Sequence, residues 1–261
     1  TGQSLPVWRG VQVHLMGSVA ASLSPTAGGN AIGIVWLLNR FGVPVRRGVV
    51  VSVLTLICDM AFFAWAVPCS FLYLMSQGVQ VPFRFASALI TAFSLVLITL
   101  CYLLVFRLPL FIKGLKALGR LRWLARFQER LERIIAEIEL SQQNLAAAPW
   151  WVSTRLHLVS ALLWLSRFGM LAAIFFVFKS GVGSVEVISF NTLCHALAFL
   201  IPTPGASGYY ELVVAWLFKG ATSSSLLSAI VAVWRILTYY IYFLIGPLVG
   251  GAALLQDQPT D

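Results

Sequence analysis

The sequence predicts an all-α polytopic membrane protein, an inverted repeat with two re-entrant helical hairpins and about four full spans. Of its 261 residues, 59% are hydrophobic and only 10% are charged, and the mean hydropathy is +0.88. A soluble domain carries roughly 25% charged residues, and a disordered chain is less hydrophobic and more highly charged. The apolar residues also form long uninterrupted runs, which favours membrane-spanning helices over strands.

Four segments are long and apolar enough to cross a bilayer as full helical spans. They are Gly48–Leu74, Phe85–Phe106, Val152–Phe178 and Ser223–Leu255. The net charge of +9, from 18 Lys and Arg against 9 Asp and Glu, is typical of a membrane protein with basic cytoplasmic loops. We therefore expect a lipid bilayer, and no nucleic acid, as the partner of the basic residues.

Two further apolar regions are interrupted in the middle by Pro, Gly and small polar residues. Val7–Leu38 is split by Ser24–Asn30, and Val187–Phe218 is split by Ile201–Gly208. Each half is only about fourteen residues long, which is too short a helix for a ~30 Å hydrocarbon core. Half-length helices that meet at such a break predict re-entrant hairpins with their tips at membrane depth, where irregular backbone must be enclosed by protein or line a wet cavity.

The two breaks are similar to each other. Pro25–Asn30 aligns with Pro202–Ser207, and this weak internal repeat is of the kind that transporters contain. Basic residues concentrate in cytoplasmic loops, and this rule orients the first hairpin to enter from the cytoplasm and the second from the outside. The two hairpins would therefore form an inverted pair. The alternative is that two independent Pro/Gly kinks lie in ordinary spans.

The repeat divides the chain into a first membrane half, 1–106, and a second, 151–261, each with one hairpin. Between them, 107–150 is expected to be a cytoplasmic amphipathic linker. Its leucines recur every three residues with basic residues between them, as at Leu115, Leu118 and Leu121, which predicts a helix with one apolar face. This helix either lies on the inner leaflet or forms a solvated helical hairpin that joins the halves.

One segment carries a specific resemblance. Pro202–Glu211, read Pro-Thr-Pro-Gly-Ala-Ser-Gly-Tyr-Tyr-Glu, closely resembles the P-T-P-G-G-x-G-x-x-E signature of the lysylphosphatidylglycerol synthase transmembrane (flippase-like) family. Arg235–Thr238 is similar to an Arg-Leu-Leu-Thr-like segment in the last helix of that family. Ser24–Asn30 and Leu38–Pro44 are similar to its first motif, so the resemblance covers nearly the whole chain.

The sequence departs from the family pattern at two positions. Ala206 stands where the second Gly of the signature is usual, and Asn30 stands where many members carry an acidic residue or Gln. No soluble aminoacyl-transferase domain follows Asp261 in this sequence. The resemblance therefore implies a lipid-flippase-like membrane protein, without the synthase activity of the bifunctional relatives.

The Pro/Gly breaks are candidate anion sites. A Gly-rich turn at the start of a half-helix presents N–H groups and the positive end of the helix dipole, which together bind phosphate or carboxylate. Two such starts that meet near the midplane would form one substrate site reachable from each side. The alternative is that the glycines only permit close helix packing. The substrate-binding residues predicted at the breaks are Pro25, Thr26, Gly28, Gly29, Asn30, Thr203, Pro204, Gly205, Ser207 and Gly208.

Four ionisable residues within apolar surroundings complete the predicted substrate site: Asp59, Arg167, Glu211 and Arg235. A charge at the bilayer centre costs at least about 2.5 kcal/mol, so each should face the protein interior with a partner. Glu211 and Arg235 are predicted partners, either as a gate or head-group site or as a structural ion pair. Arg167 is expected either to contact a lipid phosphate or to pair with Asp59.

These features favour a lipid translocase that moves an anionic or phosphate-bearing lipid between leaflets of a prokaryotic plasma (inner) membrane. No P-loop occurs in the sequence, so transport would be downhill or ion-coupled, with Glu211 as the protonatable group. We expect no catalytic residue, because the adjacent Cys194 and His195 have no evident orienting third residue. We also expect no metal and no cofactor, since the three histidines are not at metal-ligand spacing. The alternative is a non-transporting subunit that presents a lipid or glycolipid to a partner glycosyltransferase or lipid-modifying enzyme.

Overall fold

The computed structural model describes residues 5–24, 29–78, 92–100, 150–198, 201 and 203–255. These residues form helices joined by short turns, and no strand occurs among them. Three of the helices are long and apolar enough to cross a membrane: Val45–Ser76, Trp151–Val177 and Ser224–Gly246. The prediction of an all-α polytopic membrane protein is confirmed.

The first hairpin consists of α1 (Val7–Leu23) and α2 (Gly29–Arg40). They contain 17 and 12 residues, or about 26 and 18 Å of helix, and they end and begin at the predicted break. The two helices pack closely because small residues face each other: a Cβ on Gly29 would overlap the carbonyl of Ala20. Such small-residue contacts are the usual means of close helix association in membranes.

The first long helix, α3 (Val45–Ser76), follows a turn in which Gly42 has a φ of +80°. It begins three residues before the predicted span. Residues 92–100 form a helical stretch, α4, and the rest of the predicted span Phe85–Phe106 lies outside the described residues. So does the linker 107–150 apart from its last residue, and the three-part division of the chain therefore remains a prediction.

The second half begins with the long helix α5 (Trp150–Val177) and continues with the second hairpin, α6 (Ser184–Ala198) and α7 (Tyr209–Leu217). A single 3-10 turn, Pro204–Ala206, lies between the hairpin helices. With 15 and 9 residues, both are again shorter than a ~30 Å hydrocarbon core requires. The half-length helices agree with the sequence, and the re-entrant path through the membrane remains a prediction.

The last helical segment consists of α8 (Ser224–Arg235), a π-helical segment Ile236–Tyr240, and α9 (Ile241–Leu255). Within the π segment the Ile241 N–H bonds to the carbonyl of Ile236, five residues back. The helix continues through Gly246-Pro247, and its irregular turn begins directly after Arg235.

The helices meet in three apolar clusters. One joins α5, α6, α7 and α8, a second is an aromatic cluster of α3, α5 and α6, and a third lies within the first hairpin and its turn to α3. The first hairpin reaches the second half, since α1 contacts both α9 and the Pro204–Ala206 turn. Large apolar side chains also cover the outside, as expected of a lipid-facing surface; among them are Trp8, Leu72, Leu162, Phe176 and Leu244.

Candidate functional site

The tip of the second hairpin has a backbone that requires small residues. Gly205 and Gly208 have φ values of +56° and +84°, and Ala206 lies between them with a φ of +48°. A left-handed backbone costs a residue with a Cβ roughly 1–2 kcal/mol. Ala206, which stands where the similar family signature has its second Gly, is therefore at a position that favours glycine. The exposed Thr203 steadies the turn, because its Oγ1 donates to the carbonyl of Ser207 at 3.2 Å.

Glu211 and Arg235 meet at this tip. Arg235 Nε lies 2.7 Å from Glu211 Oε1, and the Arg235 side chain is 6% exposed against 32% for Glu211. The contact is an ion pair without an aligned hydrogen bond from Nε. Arg235 Nη2 donates to Ser207 Oγ at 3.1 Å. The predicted pairing is confirmed, and it brings together Gly205, Ser207, Gly208, Glu211 and Arg235.

Tyr239 links the two hairpins, and sequence reasoning did not select it. Its hydroxyl donates to the carbonyl of Ser22 in α1 at 3.4 Å. Its ring lies against Gly205 so closely that a Cβ there would overlap it, and the Arg235 guanidinium carbon lies 4.3 Å from the ring centroid. Tyr239 belongs to the π segment, and π turns are frequent at functional sites. The available signal was its place four residues after Arg235, directly after the family-like segment Arg235–Thr238.

The first tip is arranged differently. Pro25, Thr26 and Gly28 lie outside the described residues. The Gly29 N–H donates to Ser24 Oγ at 3.2 Å, so this helix-start donor already has a protein acceptor. Asn30 packs against Gly17, and its buried Oδ1 has no hydrogen-bond partner within the described part of the chain. For Gly29 the geometry supports the alternative that the glycine permits close helix packing.

Asp59 and Arg167 lie away from the ion pair. Asp59 Oδ1 accepts hydrogen bonds from Ser160 Oγ and Trp164 Nε1, each at 2.8 Å. No salt bridge joins Asp59 to Arg167 among the residues that the structure describes. The Arg167 guanidinium carbon lies 5.5 Å from the centroid of the Trp164 ring. The four predicted ionisable residues therefore divide into two groups, Glu211 with Arg235 at the tip, and Asp59 and Arg167 away from it.

Comparison with known sequences assigns the chain to a family. The family model described as the lysylphosphatidylglycerol synthase TM region matches residues 1–246. The chain belongs to this family. It is also similar to a UPF0104 membrane protein of Archaeoglobus fulgidus, with 23% identity over 273 aligned positions that cover 98% of the chain and 80% of the relative. No solved structure gives a significant match.

The family signature ends at Glu211, and the structure explains why an acid stands there. Glu211 Oε2 accepts the Gly208 N–H at 2.8 Å, at the start of α7. A carboxylate in the first turn is stabilised by the helix dipole, and it accepts a hydrogen bond from a backbone N–H that has no acceptor within the helix. The protein's own carboxylate therefore lies where the sequence predicted a bound anion. An anion could bind at this tip only from the Arg235 side of the pair or in place of Glu211.

A half-buried histidine, His195, contacts the segment Pro202–Glu211 and the neighbouring long helices. The Tyr210 hydroxyl is hydrogen-bonded to His195 Nδ1, which joins the two helices of the second hairpin. The imidazole packs against the rings of Phe63, Trp164 and Phe168. The Arg235 guanidinium carbon lies 5.7 Å from the Tyr210 ring centroid. Aromatic contacts thus hold the hairpin tip against α3 and α5, a role that neighbouring residues in the sequence do not indicate.

Proposed function

We propose that the chain is a lipid translocase that moves an anionic or phosphate-bearing lipid between the leaflets of a prokaryotic plasma (inner) membrane. The observation that carries the proposal is the Glu211–Arg235 pair at the junction of the two hairpins, with Tyr239 in contact with both. Ionisable groups within a membrane domain are costly and mark substrate or ion pathways. Membership of a family named for a phospholipid synthase supports a lipid as the substrate.

In this proposal the ion pair is a gate. A lipid phosphate would bind Arg235 in place of Glu211, because a guanidinium binds phosphate oxygens as readily as it binds carboxylate oxygens. Release of Glu211 would also break its hydrogen bond to the Gly208 N–H and loosen the turn that contacts α1. The released carboxylate would have to be neutralised by a cation, so transport would be downhill or ion-coupled.

A second function has one observation in its favour. The family is described as the transmembrane region of a synthase, which fits a subunit that binds a lipid or glycolipid and presents it to a glycosyltransferase or lipid-modifying enzyme. The same pair would then hold the head group without moving it. This function predicts lipid binding by the purified chain and no lipid movement.

Reconstitution distinguishes the two. The purified chain is placed in vesicles with fluorescent phosphatidylglycerol, and dithionite quenching measures how fast label leaves the inner leaflet. We expect label to leave the inner leaflet faster in vesicles with the wild-type chain than in empty vesicles. Gly205→Val should still insert but should lose this faster rate, because the valine side chain would displace Tyr239. Gly10→Val is the control, since a Cβ on Gly10 meets no other atom within 4 Å. Wild-type vesicles no faster than empty ones would refute translocation.

A further inference from the structure

A second polar feature lies outside the hairpin junction. A cavity of about 140 Å³ is enclosed on three sides by α1, α5 and the last helical segment. A water molecule needs only about 10–15 Å³ of such volume, so the space is large enough for a head group. The lining residues are His14, Leu163, Ser166, Arg167, Met170, Leu237, Thr238 and Tyr242.

Arg167 is the cationic side chain of this lining, and none of the described residues that line it carries a carboxylate. The two aliphatic hydroxyls are already used as donors: Ser166 Oγ donates to the carbonyl of Leu162, and Thr238 Oγ1 to that of Trp234, each at 2.7 Å. The charged donors that remain for a ligand belong to Arg167, whose guanidinium carries five N–H groups in a fork that suits phosphate oxygens.

The acid on the neighbouring helix does not form a salt bridge with Arg167 among the described residues. Asp59 Oδ1 instead accepts hydrogen bonds from Ser160 and Trp164. On its other side Arg167 rests against the Trp164 ring, a contact that positions a guanidinium without consuming its hydrogen-bond donors. The arrangement holds a positive charge at the cavity wall and leaves donors for an anion.

The other half of the lining is apolar and open to the outside. Leu163 and Leu237 are 39% and 40% exposed, and with Met170 they extend the cavity toward the apolar surface of the protein. A cavity with a cation on one wall and leucines at its mouth suits an amphiphile whose phosphate enters and whose chains stay in lipid.

We propose that this cavity is a phosphate-binding site, separate from the Glu211–Arg235 gate, in which Arg167 binds the phosphate of a lipid head group or a free phosphate ion. The site deepens the proposed function, and it rests on that function only for the lipid as the natural ligand. Thr238 lies three residues after Arg235, so a ligand in the cavity would lie beside the irregular turn that also holds Tyr239.

Native mass spectrometry of the full chain in detergent tests the site, with phosphatidylglycerol as the probe and diacylglycerol as the lipid without phosphate. We expect Arg167→Gln to weaken phosphatidylglycerol binding about ten-fold or more, the effect of losing a charge-assisted hydrogen bond. Arg167→Lys should retain most of the binding. Arg155→Gln removes the same charge from an exposed position on the same helix and should change nothing. Undiminished binding by Arg167→Gln, or equal binding of diacylglycerol by the wild type, would overturn the proposal.

Leu163→Trp gives an independent test if Arg167→Gln does not fold, because it fills the cavity without changing charge. It should reduce binding as strongly, and unchanged binding would count against the site. Displacement of the lipid by millimolar inorganic phosphate would assign the site to the free ion, and resistance to displacement would assign it to the head group. Arg167-dependent binding without lipid movement in vesicles would refute the translocase and leave the cavity standing.

Discussion

The two hairpins have the same sequence pattern and use their glycines in different ways. In the first, Gly29 and Gly33 lie within α2, where a Cβ would overlap the backbone carbonyls of α1. In the second, Gly205 and Gly208 have positive φ values and shape a turn that holds an ion pair. A Pro/Gly break between half-length helices therefore identifies a hairpin, and its backbone dihedrals decide whether glycine serves packing or a site.

The largest effect should come from breaking the ion pair of the second tip. Glu211→Ala leaves Arg235 buried without its acidic partner, which costs about 3–5 kcal/mol. The double change with Arg235→Ala removes both charges and should be less damaging than Glu211→Ala alone. The free energy of unfolding in SDS-containing mixed micelles checks this order. A double variant less stable than Glu211→Ala would show that Arg235 is held by other groups, of which Ser207 is the first candidate.

The packing glycines of the first hairpin should come next. Gly29→Ala places a methyl group against the Ala20 carbonyl, which cannot move without opening the hairpin, and overpacking of this kind costs about 1–3 kcal/mol. Gly10→Ala is the matched control on α1, where nothing lies within 4 Å and helix propensity favours alanine. Equal stability of the two variants, measured in the same micelles, would mean that close approach does not determine the first hairpin.

A smaller effect of the opposite sign is expected at Ala206. Its φ of +48° is a conformation that glycine adopts without a steric penalty. Ala206→Gly should therefore raise the free energy of unfolding by about 1 kcal/mol, the lower end of the left-handed penalty. A destabilised variant would mean that the packing of the Ala206 methyl group, which is buried, outweighs the backbone strain.

The smallest effect should come from the contact that joins the hairpins. Tyr239→Phe removes one long hydrogen bond to the Ser22 carbonyl and should cost about 0.5 kcal/mol, the low end for such bonds. Its ring still packs against Gly205 and Arg235. The free energy of unfolding should therefore change little. The rate of lipid movement in vesicles tests whether the contact couples the two tips. An unchanged rate would limit Tyr239 to packing.

Much of the fold followed from the sequence alone. The length of the apolar runs and the Pro/Gly breaks predicted the hairpin helices, and α1 ends and α2 begins at the predicted break. The Glu211–Arg235 pair was also predicted, because a charge in an apolar segment is costly without a partner. The same cost did not join Asp59 to Arg167, since Asp59 is bonded to Ser160 and Trp164 instead. These are properties of chain composition and of neighbours along the sequence, which a single sequence contains in full.

Only the tertiary structure decided how the polar groups are used. The sequence did not show that Glu211 fills the anion position at the start of α7. Nor did it show that Tyr239 bonds to Ser22, 217 residues away in the chain, or that Arg167 lines a cavity instead of pairing with Asp59. The reason is physical: hydrogen bonds and cavities depend on the distances and rotations between helices remote in the chain, and hydrophobic periodicity does not encode those distances.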